Sequence, residues 1–305
     1  MNLAFIFPGQ GSQKIGMGLE FYENFSSAKK LLDDASCALD IDFKALMFSQ
    51  NPKLDISQFT QPAILLNSLM ALSAFKEQIN CEASVLLGHS LGEFSALCAS
   101  SAFNYIDALR LVNLRGKLMA KDCEGKDAGM MVVLGLSDEK VEKICADFEK
   151  SAWPANYNCD GQIVIAGLKD DLKALEGEFK SAGAKRAMLL NMSVASHCKL
   201  LQNASNALAS ELDGKIAPNF KAVISNVNAK PYSTATQAKE LLKAQLTSPV
   251  LYKQSIIRAQ DEVDCFVEFG SSVLCGLNKK ITQKPSIAIN DLASLNQAVE
   301  FLKNH

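Results

Sequence analysis

The amino-acid sequence predicts an α/β protein in which a large domain with a mostly parallel sheet is interrupted by a small inserted domain. Short apolar runs alternate with helical patterns in both halves of the chain, which is typical of a parallel sheet covered by helices on both faces. One apolar run, Val85 to Leu87, leads into Gly88-His89-Ser90-Leu91-Gly92 and then into a helical pattern. Between about residues 123 and 193 the order becomes strand, helix, strand, strand, helix, strand. That order is typical of a ferredoxin-like unit.

The composition is that of a globular protein without general affinity for polyanions. The 305 residues are 48% hydrophobic and 21% charged, so the chain can bury a substantial core. A formal net charge of -2 gives no general attraction to nucleic acid or to anionic membranes. The nine cysteines, an odd number without a C-x-x-C pair, favour reduced thiols over disulfides or a zinc site. We therefore expect a cytoplasmic protein without a metal.

Neither a signal peptide nor a membrane span is expected. The first residues, Met1 to Phe7, lack the basic start of a signal peptide. The longest uncharged stretch, Ile56 to Phe75, carries several polar side chains, which favours a buried helix over a membrane span.

The first 122 residues supply a strand, several helices and the Gly-x-Ser-x-Gly turn. Leu3 to Phe7 predicts a buried strand, which ends at the glycine-containing loop Pro8 to Gln13. Helical periodicity predicts helices over Phe25 to Leu39 and Gln58 to Ile79. Asn104 can cap a further helix, which carries Arg115.

The inserted domain is predicted over residues 123–193, and the large domain is discontinuous, over 1–122 and 194–305. The insertion's predicted elements are strands over Met130 to Leu136, Ala152 to Tyr157, Gln162 to Ala166 and Lys185 to Leu190, with a helix capped by Ser137 and another over Asp171 to Ala182. Beyond it we predict helices over Cys198 to Glu211, Ala238 to Leu246 and Leu295 to Lys303, and strands over Lys221 to Ser225 and Cys265 to Phe269.

The Gly-x-Ser-x-Gly pattern predicts a nucleophile elbow with Ser90 at its tip. A sharp turn from strand to helix packs the two elements closely, so Gly88 and Gly92 leave room that a side chain would fill. The backbone N–H of Leu91 would lie beside the helix N-terminus, where partial positive charge can stabilise an oxyanion. The alternative is a serine in an ordinary glycine-containing turn.

A serine nucleophile needs a base, and histidine is the usual one. The sequence contains three histidines. His89 precedes Ser90 on the elbow, where the backbone directs it away from the neighbouring hydroxyl, and His305 is the last residue and is expected to fray. His197 remains as the candidate base. The alternative is a histidine that caps or packs against a helix start.

Two further residues have a candidate role beside an ordinary one. The loop around Gln10, between Gly9 and Gly11, could supply a second oxyanion donor, although it could also be an ordinary turn or a weak phosphate cradle. Arg115 could hold a carboxylate with its planar fork if it points into the site. Most arginines lie on solvated helix faces, and spacing alone does not decide between the two.

Five stretches together resemble the bacterial malonyl-CoA:acyl-carrier-protein transacylases. They are Phe7 to Gln13, Gly88 to Glu93, Leu114 to Gly116, Ala155 to Gly167 and Ser193 to His197, and they span nearly the whole chain in order. The resemblance implies an α/β-hydrolase-like large domain with a ferredoxin-like insertion. It also implies ping-pong transfer of a malonyl group from malonyl-CoA to holo acyl carrier protein, for fatty acid biosynthesis, without a cofactor.

The resemblance also assigns roles to individual residues. Ser90 would accept the acyl group and His197 would act as its acid and base. The backbone N–H groups of Gln10 and Leu91 would form the oxyanion hole, and Arg115 would bind the malonyl carboxylate. In this family backbone carbonyls, rather than an aspartate, orient the histidine.

The carbonyl acceptor and the acyl selectivity are carried over on shorter motifs. The match places Gln245 as one of the carbonyls that orient the histidine. An Ala195-Ser196-His197 ending occurs with branched extender units in related polyketide acyltransferases, and similar endings occur in malonyl enzymes, so malonyl remains the expected group. The expected partners are malonyl-CoA and holo acyl carrier protein, with no nucleic acid or membrane, and we expect a monomer.

Two other functions remain open at this point. A serine hydrolase would want an acidic third residue between the serine and the histidine, for which Asp160, Asp170 and Asp171 are available. A docking module without activity would hold carrier protein on an inactive scaffold. Intact Ser90, His197 and Arg115 argue against the docking module.

Overall fold

A computed structural model of the chain describes residues 1–192 and 194–304. Within these residues the chain forms ten strands and thirteen α-helices, arranged around two separate sheets. The predicted fraying of His305 and the predicted domain ends at positions 193 and 305 lie outside the described residues.

The strands and helices are numbered in chain order. The strands are β1 (Leu3–Phe7), β2 (Ala83–Gly88), β3 (Ala128–Leu134), β4 (Ala152–Cys159), β5 (Gln162–Leu168), β6 (Arg186–Leu189), β7 (Asn219–Ile224), β8 (Pro231–Thr234), β9 (Cys265–Phe269) and β10 (Ser286–Ile289). The helices are α1 (Leu19–Asn24), α2 (Ser26–Leu39), α3 (Phe43–Phe48), α4 (Ser57–Gln78), α5 (Gly92–Ala99), α6 (Tyr105–Cys123), α7 (Asp138–Asp147), α8 (Lys169–Ser181), α9 (Gln202–Glu211), α10 (Ala235–Gln245), α11 (Tyr252–Ala259), α12 (Val273–Asn278) and α13 (Leu292–Lys303).

The large sheet has the order β10-β9-β1-β2-β7-β8. Its first five strands pair in parallel, and only the edge strand β8 runs antiparallel to its neighbour. All five residues of β1 are buried, as expected for an apolar strand in the middle of a sheet covered on both faces. The predicted mostly parallel sheet is confirmed, whereas the α/β-hydrolase-like classification stays a prediction.

The small sheet has the order β4-β5-β3-β6, and every neighbouring pair is antiparallel. Strand side chains alternate between the two faces of a sheet. On β3, Met131 and Val133 pack in a core under α7 and α8, while Met130 belongs to the main hydrophobic core with Val164 of β5. The face of the small sheet that carries Met130 and Val164 therefore packs into the main hydrophobic core.

Several elements differ from their predicted extent. Helix α4 is buried on nearly every side, because it contacts α2, α6 and β9. The predicted helix from Cys198 begins as helix only at Gln202, since Lys199–Leu201 forms a 3-10 turn. Six short elements were not predicted from the sequence: α1, α3, α11, α12, β8 and β10. No described helix combines the length and apolar character that crossing a bilayer requires.

Candidate active site

The elbow between β2 and α5 holds Ser90 in a constrained backbone conformation. Ser90 has a φ of 52°, in the left-handed region that few residues other than glycine adopt. The surrounding packing leaves no space for side chains on the two glycines. A Cβ on Gly88 would lie 2.1 Å from the carbonyl carbon of Gly92, and a Cβ on Gly92 would lie 2.0 Å from the carbonyl oxygen of Phe7. The turn thus presents Ser90 at its tip.

His197 lies beside the serine hydroxyl, and a backbone carbonyl orients its ring. His197 Nε2 is 2.7 Å from Ser90 Oγ, and His197 Nδ1 is 2.7 Å from the carbonyl oxygen of Gln245. A carbonyl only accepts, so Nδ1 carries the proton and Nε2 is free to accept one from the serine. Burial, and then the positive charge of Arg115, lowers the pKa of His197 to about 3. The imidazole is therefore neutral, as a general base must be.

Arg115 is buried at the base of the same site, so the solvated-face interpretation is wrong. Its side chain is on α6 and is 1% exposed. Nη1 donates to Gln61 Oε1 at 2.9 Å, while Nη2 donates to Gln245 Oε1 at 3.1 Å and to Ser90 Oγ at 3.2 Å. Within the described residues, Nε has no hydrogen-bond partner. Burial lowers the pKa of Arg115 to about 10, which leaves the guanidinium charged at neutral pH.

The loop after β1 packs directly against the elbow. The backbone N–H of His89 donates to the carbonyl of Phe7 at 2.9 Å, and a Cβ on Gly9 would lie 2.4 Å from the carbonyl oxygen of His89. The side chain of Gln10 donates to Ser57 Oγ at 3.0 Å, which fixes this loop to the start of α4. In the described part of the chain, the backbone N–H groups of Gln10 and Leu91 donate to no protein acceptor. Both N–H groups are therefore free to donate to a bound ligand.

These groups lie at the base of a cleft of about 270 Å³ between the two sheets. One wall comes from the small sheet and the chain that follows it, and it mixes apolar with polar side chains: Met130, Val132, Val164, Leu190 and Met192, with Asn156, Asn158 and Gln162. The opposite wall comes from the loop after β1 and from α12: Gly9, Gln10, Ser12, Val273, Leu274 and Leu277. The cleft thus offers a ligand beside Ser90 both apolar and hydrogen-bonding contacts.

His89 points across the cleft and not at the serine. Its Nε2 is 2.8 Å from Oδ1 of Asn158, which lies on β4, so the contact joins the elbow to the small sheet. Burial lowers the pKa of His89, which keeps the ring neutral.

A buried polar cluster beneath the elbow was not predicted from the sequence. The Glu93 carboxylate accepts from Tyr232 Oη at 2.8 Å, from Gln245 Nε2 at 2.7 Å and from the backbone N–H of Asn226 at 3.2 Å. Asn226 Oδ1 in turn accepts from the backbone N–H of Ser90 at 2.6 Å. Glu93 reads as an ordinary acid in the first turn of a helix, so only its position inside the Gly-x-Ser-x-Gly-Glu stretch could have singled it out.

The three aspartates that a hydrolase could use lie elsewhere. Asp160 pairs with Lys253 at 3.3 Å, and Asp170 pairs with Lys173 at 3.1 Å. Asp171 accepts from the backbone N–H of Ser151. The two ring nitrogens of His197 lie 2.7 Å from Ser90 Oγ and 2.7 Å from the carbonyl oxygen of Gln245, so neither is bonded to any of these carboxylates.

Comparisons with known proteins agree on one family. The family model described as "Acyl transferase domain" matches residues 4–289. The malonyl CoA-acyl carrier protein transacylase of Salmonella typhimurium is 38% identical, over 98% of this chain and 99% of the relative. The crystal structure of malonyl-CoA:acyl carrier protein transacylase from Helicobacter pylori is 45% identical, with a TM-score of 0.97 over 100% of this chain and 99% of that one.

A third similar structure contains a partner. A malonyl-transacylase solved in complex with its type II PKS acyl-carrier protein is 35% identical, with a TM-score of 0.94 over 99% of this chain and 100% of that one. Full-length matches at these identities confirm the resemblance that the five sequence stretches indicate. The chain therefore belongs to the malonyl CoA-acyl carrier protein transacylase family of acyl transferases.

Proposed function

We propose that this protein transfers a malonyl group from malonyl-CoA to the phosphopantetheine thiol of holo acyl carrier protein, through a malonyl ester on Ser90. The transfer supplies extender units for fatty acid biosynthesis. The observation that carries the proposal is the placement of a charged, buried Arg115 3.2 Å from the Ser90 hydroxyl, which His197 contacts from another side. A nucleophile beside a buried cation suits an acyl group that ends in a carboxylate. The names of the similar proteins support the same reaction.

In the first half-reaction Ser90 Oγ attacks the thioester carbonyl of malonyl-CoA and gives its proton to Nε2 of His197. The carbonyl oxygen becomes an oxyanion, which the backbone N–H groups of Gln10 and Leu91 stabilise; loss of one such donor typically costs about 10²–10³ in rate. The C–S bond then breaks, and His197 returns the proton to the departing CoA thiolate.

The second half-reaction repeats these steps with a different thiol. The phosphopantetheine thiol of the carrier protein gives its proton to His197 and attacks the ester carbonyl. The ester C–O bond breaks, and the proton returns to Ser90 Oγ. The carbonyl of Gln245 holds the His197 ring at 2.7 Å, so no acidic third residue is required to orient it. His197 serves as the base in both half-reactions.

The malonyl carboxylate is proposed to bind one edge of the Arg115 fork. That edge carries Nε–H, which lacks a partner among the described residues, and an Nη2–H that now reaches Ser90 Oγ. Acylation turns the hydroxyl into a weaker acceptor and frees the second donor. Two parallel bonds to one carboxylate then hold the acyl group and keep it from water.

The predicted organisation fits this mechanism. We propose an α/β-hydrolase-like domain over 1–122 and 194–305, which carries the elbow and the base, with a ferredoxin-like domain over 123–193 as the second wall of the cleft. The monomeric state, the cytoplasmic location and the absence of a cofactor, of nucleic acid and of membrane as partners stay predictions.

The test is transfer itself. The protein is mixed with malonyl-CoA and holo acyl carrier protein, and the masses of the carrier and of free malonate are followed over time. We expect malonyl carrier protein to form, with full activity in Asp160→Asn, Asp170→Asn and Asp171→Asn. Release of malonate without transfer, or a large loss in one of these variants, would favour the hydrolase, and carrier binding without any acyl transfer would favour the docking module.

A further inference from the structure

We propose that Glu93 is a positioning residue for acyl-group selectivity, which acts through the side-chain amide of Gln245 on Arg115. The inference rests on the proposed function, because it concerns how the carboxylate-binding arginine is held. Its basis is a chain of hydrogen bonds that runs from Glu93 to Gln245 and from Gln245 to both Arg115 and the elbow.

Glu93 lies behind the site, in the first turn of α5, and has no exposed surface. A buried carboxylate is costly unless several donors satisfy it. Here one oxygen accepts from the Tyr232 hydroxyl, and the other accepts from the backbone N–H of Asn226 and from Gln245 Nε2. Burial raises the pKa of Glu93, while these bonds and the nearby Arg115 oppose the increase. The group is thus tied into the site from three directions.

The Gln245 amide connects this carboxylate to the reacting groups. Its Nε2 donates to Glu93 at 2.7 Å and to the carbonyl oxygen of Ser90 at 3.0 Å. Its Oε1 accepts from Arg115 Nη2 at 3.1 Å. Because Nε2 must face the carboxylate, Oε1 must face the guanidinium, and the amide cannot flip without placing Nε2 against the arginine. Glu93, together with the carbonyl oxygen of Ser90, therefore determines which end of the amide Arg115 meets.

Gln245 also orients the base His197, but through its backbone carbonyl and not through its side chain. The carbonyl of Gln245 binds His197 Nδ1 independently of the side-chain amide. Loss of Glu93 should therefore disturb Arg115 more than His197. A substrate that needs the arginine, such as malonyl-CoA, should suffer more than acetyl-CoA, which has no carboxylate.

Hydrogen-bond geometry provides a matched pair of variants. In Glu93→Gln, the new amide oxygen must face the two donors, Asn226 N–H and Gln245 Nε2, because its nitrogen can donate only to the Tyr232 hydroxyl. All three bonds then survive, and only the charge is removed. In Glu93→Met, a side chain of similar length removes all three bonds.

The experiment measures kcat/KM for malonyl-CoA and for acetyl-CoA in the wild type and in both variants, after thermal melts show that each is folded. We expect Glu93→Met to lower the malonyl-to-acetyl ratio at least tenfold and Glu93→Gln to keep it within about threefold. Tyr232→Phe, which removes one buried bond but leaves Gln245 held, controls for general loss of stability. It should change the ratio less than Glu93→Met does.

A double variant tests whether Glu93 acts on selectivity through Arg115. In Arg115→Met the ratio should already be low, and adding Glu93→Met should not lower it further, since the two residues act on one interaction. If Glu93→Met does not fold, Gln245→Met removes the middle of the chain of bonds and should give the same loss of ratio.

Three results would overturn the inference: an unchanged ratio in folded Glu93→Met, an unchanged ratio in Gln245→Met, or an equal loss in Glu93→Gln and Glu93→Met. A wild-type protein that does not prefer malonyl-CoA at all would instead count against the proposed function.

Discussion

Replacement of Arg115 by Met should convert the protein from a malonyl-selective into a largely unselective acyl transferase. The proposed carboxylate contact uses two charged hydrogen bonds, from Nε and from the Nη2 hydrogen that now reaches Ser90 Oγ. Each hydrogen bond to a charged group contributes about 1.5–3 kcal/mol, so the pair contributes about 3–6 kcal/mol. At about 1.4 kcal/mol per factor of ten, kcat/KM for malonyl-CoA should fall by about 10²–10⁴.

The assay compares single-turnover acylation of the protein by malonyl-CoA and by acetyl-CoA. Acetyl-CoA offers no carboxylate, so its rate should change by less than tenfold. Arg115→Lys is the matched control, because an ammonium keeps the charge but cannot make two parallel bonds. We expect it to lie between the wild type and Arg115→Met for malonyl-CoA.

Stability must be measured alongside, since Arg115 is also part of the buried network. Its removal leaves Gln61 and Gln245 without a donor and Glu93 without its positive neighbour, and breaking such a pair typically costs about 3–5 kcal/mol. Rates are therefore compared at temperatures where urea titration shows the variant to be folded. An equal loss for both substrates in a folded Arg115→Met would refute the assignment of the arginine to the carboxylate.

Two further predictions concern the base and the elbow. The pKa of His197 is lowered to about 3, below the ordinary value of 6.5, so the base stays neutral as pH falls. We therefore expect kcat/KM for malonyl-CoA to stay constant from pH 8 to about pH 5. A fall in kcat/KM with a midpoint near pH 6.5, still present in His89→Gln, would contradict this. Gly92→Ala would put a Cβ 2.0 Å from the carbonyl oxygen of Phe7 and should lower the free energy of unfolding, measured in urea, by about 3 kcal/mol or more. The control Gly177→Ala, in a helix with open space around it, should be neutral or slightly stabilising. Equal stability of the two variants would contradict the prediction.

Much of the fold was predictable because its signals are local. The apolar run Val85 to Leu87, the two glycines that flank Ser90, and the caps at Asn104 and Ser137 each act within a few residues. The order of the elements from β3 to β6 could likewise be read directly from the periodicities of the sequence. Helices of six to eight residues that no motif marks, such as α12, are too short for helical periodicity to identify, although α12 forms part of a wall of the cleft.

The site was predictable only in part, because some of its residues have local signals and others are brought together only by the fold. Ser90 has a motif, and His197 emerged by elimination among three histidines. The contacts of Glu93 with Asn226 and Tyr232 span 133 and 139 residues, and neither partner has a local pattern that marks it. The burial of Arg115 likewise depends on how α6 packs against α4, which one helix's sequence does not reveal.

The most direct test of the covalent mechanism is to measure the intact mass of the protein after brief mixing with malonyl-CoA in the absence of carrier protein. We expect one malonyl adduct on the wild type, located on Ser90 by peptide mapping, removed by holo acyl carrier protein and absent from Ser90→Ala. An adduct that persists in Ser90→Ala, or malonyl transfer to the carrier without any adduct on the wild type, would contradict the covalent mechanism.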